Sequence, residues 1–319
     1  MNCCCSDPYR EGRELLDQFA EIRRGCPVLG QLLVPDADWN AFQEWDRQPR
    51  DDVHHRSMLL LALERDHLGA LTGPLHRFLV EDGRVKATVT KQYRQDLRER
   101  WLVKSTEVER HQKSRGFLGK VVELHVAAWL EQRAWRVVNL AALGGQFDIE
   151  ATPPEQVDGA PAAPIPIEVK FIGTEDPDFG AVLQSARTGP HADSRSLPAA
   201  ANYAQFRLYE AALQIQKAGA RGIAILVIDD YVAWPRIEFV LPWIDWEHPH
   251  WFPVDESWRP FWQAQVLARP QIEQDLPDVL AALDLACVLR LVDGFRYLTE
   301  RTWPMPAPRW AVAGAELST

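Results

Sequence analysis

Residues 144–173 hold the feature that most limits what this chain can become: two strand-length apolar runs, each with acidic residues set between hydrophobic ones. In Phe147-Asp148-Ile149-Glu150 and in Ile167-Glu168-Val169-Lys170-Phe171, polar and apolar positions alternate. Such alternation marks a strand with one face in a core, because successive side chains point to opposite faces of a sheet. Phe147 and Ile149 therefore belong to one face, with Asp148 and Glu150 opposite. Ile167, Val169 and Phe171 belong to a core, with Glu168 and Lys170 opposite. If the two runs pair, Asp148, Glu168 and Lys170 project from the same side of one sheet. Converging carboxylates repel, and the natural remedy is a hard divalent cation; Mg²⁺ is satisfied by a few carboxylates plus waters. Such an ion activates a bound water and neutralises charge on a phosphoryl oxygen. A lysine beside it would orient the attacking water or stabilise the pentacovalent transition state, which is the chemistry of phosphodiester hydrolysis.

The flanking sequence predicts an α/β fold around these runs. "GFLGKVVELHVAAWLEQRAW" carries Phe117, Val121, Leu124 and Ala128 at helical spacing and predicts a helix over 116–133. Glu123 falls on a largely apolar surface of that helix, near Val126, Ala127 and Leu130, where a carboxylate requires a lysine, a hydrogen-bond donor or a metal as partner. "WRVVNL" (135–140) reads as a strand, Gly144-Gly145 as a turn and "QFDIEAT" as the next strand. Further on, "AANYAQFRLYEAALQIQKAG" (199–218) predicts an amphipathic helix ending at Gly219. "RGIAILVIDDY" is a strand of the doubly buried type, and "RIEFVLP" reads as another. The order helix, three strands, helix, strand implies a mixed sheet with helices on its faces.

The helix glutamate Glu123, then "FDIEA" with Asp148, then "IEVK" with Glu168, Val169 and Lys170, resembles the PD-(D/E)XK nuclease superfamily, whose core is the restriction-endonuclease-like αβββαβ fold. The spacing in "LGKVVELHVAAWLEQRAWRVVNLAALGGQFDIEA" is similar to the restriction-enzyme and Holliday-junction-resolvase branch. The resemblance covers residues 116–240 and departs from the family pattern in lacking the motif's leading proline, since Phe147 precedes Asp148. It implies that Asp148 and Glu168 ligate Mg²⁺, or Mn²⁺ in its place, with the Val169 carbonyl completing the site. It also implies that Lys170 is the catalytic lysine and that Glu123 assists metal or water placement. Gln205 and Tyr209, spaced as Q-x-x-x-Y, resemble a helicase-associated element that contacts substrate and orients the lysine; an ordinary helix surface is the competing reading. The implied activity is a Mg²⁺-dependent DNA nuclease, with bacterial defence (restriction) or DNA repair as settings by analogy only. The rival expectation is a catalytically idle nuclease-like module acting as a nucleic-acid-binding or assembly subunit.

Charge is uneven. The chain of 319 residues carries a net −10, yet between Arg84 and Lys120 eleven Lys and Arg face four acids, a local +7 that leaves −17 on the remainder. That segment is a candidate phosphate-facing surface, with Lys113, Arg115 and Lys120 nearest the core, and a solvated helix face is its alternative. Residues 1–115 read as a helical N-terminal region, 116–245 as the nuclease core and 246–319 as a Trp-rich and helical C-terminal extension, with helices over 276–298. Trp243, Trp246, Trp251, Trp258 and Trp262 lie among acids and prolines, which favours core packing or a protein interface over base stacking. The partners implied are double-stranded DNA and, because cutting both strands calls for two active sites, a homodimer or a protein bound through the Trp-rich part. No apolar run reaches the roughly 18–20 residues that a membrane helix needs, and no secretory leader is evident. Five cysteines without paired ligand spacing read as reduced thiols, and a cytoplasmic setting is expected.

Overall fold

The computed structural model describes residues 122–141, 146–154, 163–172, 192–229, 247–253, 272–292 and 297–304. Isolated positions at 20, 21, 23, 24, 36, 37, 39, 40, 77, 78, 91, 119, 244, 245 and 259 are described as well. The chain divides into two compact units, Met1–Phe117 with Gly294–Arg296, and Leu118–Asp293 with Tyr297–Thr319. In the first, the buried Arg23 pairs with Asp36 at 2.5 Å and lies 5.9 Å from the centre of the Trp39 ring.

The second unit holds the sheet and the candidate site. Helix α1 covers 122–132, with Val122, Leu124, Val126, Ala127, Trp129 and Leu130 buried. It stops in a tight reversal: Ala134 adopts a left-handed φ of 61° while the Trp135 N–H donates back to the Leu130 carbonyl. Strands β1 (Arg136–Leu140), β2 (Ile149–Thr152) and β3 (Ile165–Ile172) follow. Helix α2 (Ala192–Lys217) ends in the same reversal at Gly219, φ 68°, and leads into β4 (Gly222–Asp229). Helix α3 (Ile272–Leu280) then precedes β5 (Leu283–Val292) and β6 (Tyr297–Pro304).

These strands form one six-stranded sheet in the order β1-β2-β3-β4-β5-β6. The β1–β2 and β2–β3 pairs are antiparallel, β3–β4 and β4–β5 parallel, and β5–β6 antiparallel. The expected mixed sheet with helices is therefore present. Parallel neighbours require crossovers, and α2 and α3 lie in those crossovers, α2 packing on β3 and β4 and α3 on α2. Their shared core joins Tyr203, Phe206, Leu208 and Ile215 of α2 to Leu276 and Val279 of α3, and both to Ala224, Leu226, Ala286 and Val288 of the sheet. Gly222 is required where β4 starts, because a Cβ there would lie 2.2 Å from the Pro166 carbonyl oxygen of β3.

Two expectations need correction. The helical reading of 276–298 holds only to Leu280; Leu283–Val292 is a strand, and β6 continues the same sheet where a helical extension and a tail were expected. The run "LDLACVLRLV" is buried continuously from Leu283 to Leu289, so it lacks the alternation that separates a strand from a buried helix. Helix α2 also starts upstream of the expected 199, at Ala192. The expected strand at 236–242 lies outside the described residues.

Candidate active site

The site grows out of a mismatch in strand length. β2 pairs with β3 only from Ile149↔Ile167 to Ala151↔Ile165, so from Glu168 onward β3 keeps β4 on one side and has lost β2 on the other. Asp148 lies in a bend immediately before β2, not in the strand as alternation implies. From there it continues the ladder by other means. Its backbone carbonyl accepts the Ala141 N–H at 2.9 Å, and its Oδ2 accepts the Val169 N–H at 2.8 Å. The carboxylate thus substitutes for the missing strand and is fixed by main chain, a bond in which the ionised acceptor strengthens the contact. Phe147 turns into the α2–α3 core, whereas Ile149 is buried outside that cluster. A bend at 146–148 explains why the two do not share a face.

Glu168 is 2% exposed and faces the α2 side of the sheet, since it pairs with Ala224, a member of the α2–α3 core. Burial, and then the charge of Asp148, push its carboxyl from the ordinary 4.5 up to about 7, against the opposing pull of Lys170. Lys170 follows two residues on, on the same face. Its Nζ donates to Glu168 Oε2 at 3.0 Å and stands 3.8 Å from Asp148 Oδ2. A second acceptor reaches it from α2, the Gln214 Oε1. Nearby in register, Asn139 of β1 donates to Glu150 Oε2 at 2.8 Å, which holds the second acid of the "DIE" run.

The structure thus brings together three of the residues expected to act, Asp148, Glu168 and Lys170. Val169 enters the site through its N–H. Glu123 lies on α1, partly buried between Val122 and Leu124. Gln205 is fully buried and occupied elsewhere: its Nε2 donates to the His250 carbonyl at 2.8 Å, and its Oε1 accepts the Phe252 N–H at 2.9 Å. It does not meet Lys170 in a hydrogen bond; that contact belongs to Gln214, one residue the sequence reading missed. Tyr209 is buried too, its ring 5.4 Å from that of Trp251, whose indole N–H donates to the Ile272 carbonyl at 3.1 Å. Asn202 adds two bonds to the Phe252 and Pro253 carbonyls, each at 3.3 Å. Buried Asn202 and Gln205 one helical turn apart on a core face are a legible signal for such an anchor. Nothing local marks Gln214, because its contact depends on how α2 is registered on β3.

Lys113, Arg115 and Lys120 lie outside the described residues, as do Trp243, Trp246, Trp258 and Trp262. Among the described residues no group of three or more His, Cys, Asp or Glu is gathered to hold a metal ion. The donors present are two carboxylates, Glu168 buried and Asp148 half-buried, and such a pair matches the preference of Mg²⁺ for one or two carboxylates with the remaining positions left to water and phosphate. Among the described residues no helix is long and apolar enough to cross a membrane. Compared with family models, with curated proteins and with solved structures, the chain matches none.

Proposed function

We propose that the chain is a metal-dependent nuclease that hydrolyses phosphodiester bonds in double-stranded DNA. The observation that carries this reading is the meeting of Asp148, Glu168 and Lys170 where β2 leaves β3, with the ammonium 3.0 Å from one carboxylate and 3.8 Å from the other. Asp148 and Glu168 would hold Mg²⁺, with Mn²⁺ as the alternative ion. When bound, such an ion lowers the pKa of a water and neutralises charge on a phosphoryl oxygen. The chain's own residues supply the rest. The Val169 N–H orients the Asp148 carboxylate. Lys170, held by Glu168 and Gln214, directs a positive charge at the oxygen on which negative charge develops. Burial of Glu168 lowers the local dielectric and strengthens each of these interactions. Restriction or DNA repair is the biological setting we propose with it, and a homodimer would place one site on each strand.

A second reading, a non-cleaving binding or assembly module, is favoured by the same ammonium: Lys170 already offsets one of the two carboxylate charges without any ion. Purified protein incubated with linear duplex, plasmid and single-stranded DNA and with RNA, with Mg²⁺ or with chelator, separates the two. Cleavage that needs the metal and is lost in Lys170→Ala and Glu168→Ala supports the nuclease. Binding without cleavage under Mg²⁺ and Mn²⁺ supports the module.

A further inference from the structure

An ammonium has three N–H donors and no acceptor, so its direction is set by whichever acceptors surround it. For Lys170 one of these is the Glu168 carboxylate at 3.0 Å, while Asp148 stands 3.8 Å away as a charge without a hydrogen bond. Left to that pair alone, Nζ would be drawn inward against the negative charge, with the single hydrogen bond to Glu168 to direct it. The second acceptor is neutral, belongs to another element and lies 44 residues away in sequence. It therefore adds a direction to the ammonium that Glu168 alone does not give. Gln214 itself is exposed on α2 whereas the Lys170 side chain is only 12% exposed, so the amide meets the lysine at the rim of the site.

We infer that Gln214 is a positioning residue for Lys170, and that α2 sets the direction of the ammonium through this one side-chain amide. The inference rests on the nuclease reading for its chemical consequence, and on the Lys170–Gln214 contact for its structural one. The two are separable by experiment.

Because Gln214 is exposed and Gln, Met and Glu have similar helix propensities, both of the variants below retain the fold. Gln214→Met keeps the length of the side chain and removes the acceptor; Gln214→Glu keeps an acceptor. With linear duplex DNA and Mg²⁺, Gln214→Met is expected to lower kcat about 10- to 100-fold with little change in the KM for DNA, the loss usual for a residue that orients a reacting group. Gln214→Glu is expected to recover most of kcat. In metal-free buffer, acetylation of Lys170 by acetic anhydride, followed by mass spectrometry, is expected to run several-fold faster in Gln214→Met than in the wild type or in Gln214→Glu, since a released ammonium is easier to reach. Wild-type kcat and wild-type labelling in Gln214→Met would overturn the inference. If the wild-type protein cleaves nothing, the nuclease reading fails and labelling alone decides: faster labelling in the Met variant upholds the restraint, and equal rates refute it.

Discussion

Ala134 and Gly219 do the same work with different residues. Both follow a helix, both have left-handed φ (61° and 68°), and in both cases the next N–H closes on a carbonyl of the last turn. An L-residue with a Cβ pays roughly 1–2 kcal/mol for that conformation, and glycine does not. Ala134→Gly is accordingly expected to stabilise the protein by about 1 kcal/mol, and Gly219→Ala to destabilise it by a similar amount; no other atom lies within 4 Å of a Cβ built at Gly219. Urea titrations of the two variants check both signs. At this scale much of the site was legible: the alternation in "FDIE" and "IEVK" singled out Asp148, Glu168 and Lys170 as neighbours on one side. Alternation does not reveal where a strand stops. It therefore missed that Asp148 lies in a bend and engages the Val169 N–H.

Elements show a different balance. The succession α1, β1, β2, β3, α2, β4 was readable because each has its own period or its own punctuation, such as the glycine after α2. β5 was not, since a strand buried on both faces looks like any buried apolar run until it is paired with β4. The segment 250–253, in turn, is tied to α2 by buried polar side chains, with Gln205 exchanging both of its amide groups for main-chain bonds. Replacing that residue strips partners from a carbonyl and an N–H, and each orphaned group costs about 1–3 kcal/mol when buried. Gln205→Leu is thus expected to destabilise by about 2–4 kcal/mol while leaving kcat per folded molecule near the wild-type value. Denaturant melts and active-site-normalised cleavage rates measure the two. A specific loss of kcat with unchanged stability would instead return Gln205 to the site.

For the whole molecule, two buried titratable groups pull stability in opposite directions over the same pH range. Burial lowers His125 from 6.5 to about 4, so the folded state disfavours its protonation. Its contribution is present above about 6.5 and is lost as pH falls toward 4. Glu168 is raised from 4.5 to about 7, so its contribution is present below about 4.5 and is lost as pH rises toward 7. Each amounts to about 3 kcal/mol at most, from about 1.4 kcal/mol per pKa unit. In metal-free buffer the two slopes nearly cancel. Removing one exposes the other: Glu168→Gln is expected to gain stability from pH 4.5 to 7, and His125→Leu to lose it over the same range. Thermal melts across that range test the pair, and a wild-type profile whose slope persists unchanged in both variants would disprove the assignment.

The candidate site is assembled from near and far. Asp148 reaches β3 across only 21 residues, a span that a short antiparallel return can close early, whereas the Gln214 amide arrives across 44 and only once the parallel crossover has docked. A fragment ending before α2 would therefore carry both acids and the lysine with no amide to aim it. The strands by themselves bring the two acids and the lysine together, and the direction of the ammonium is what the helix adds.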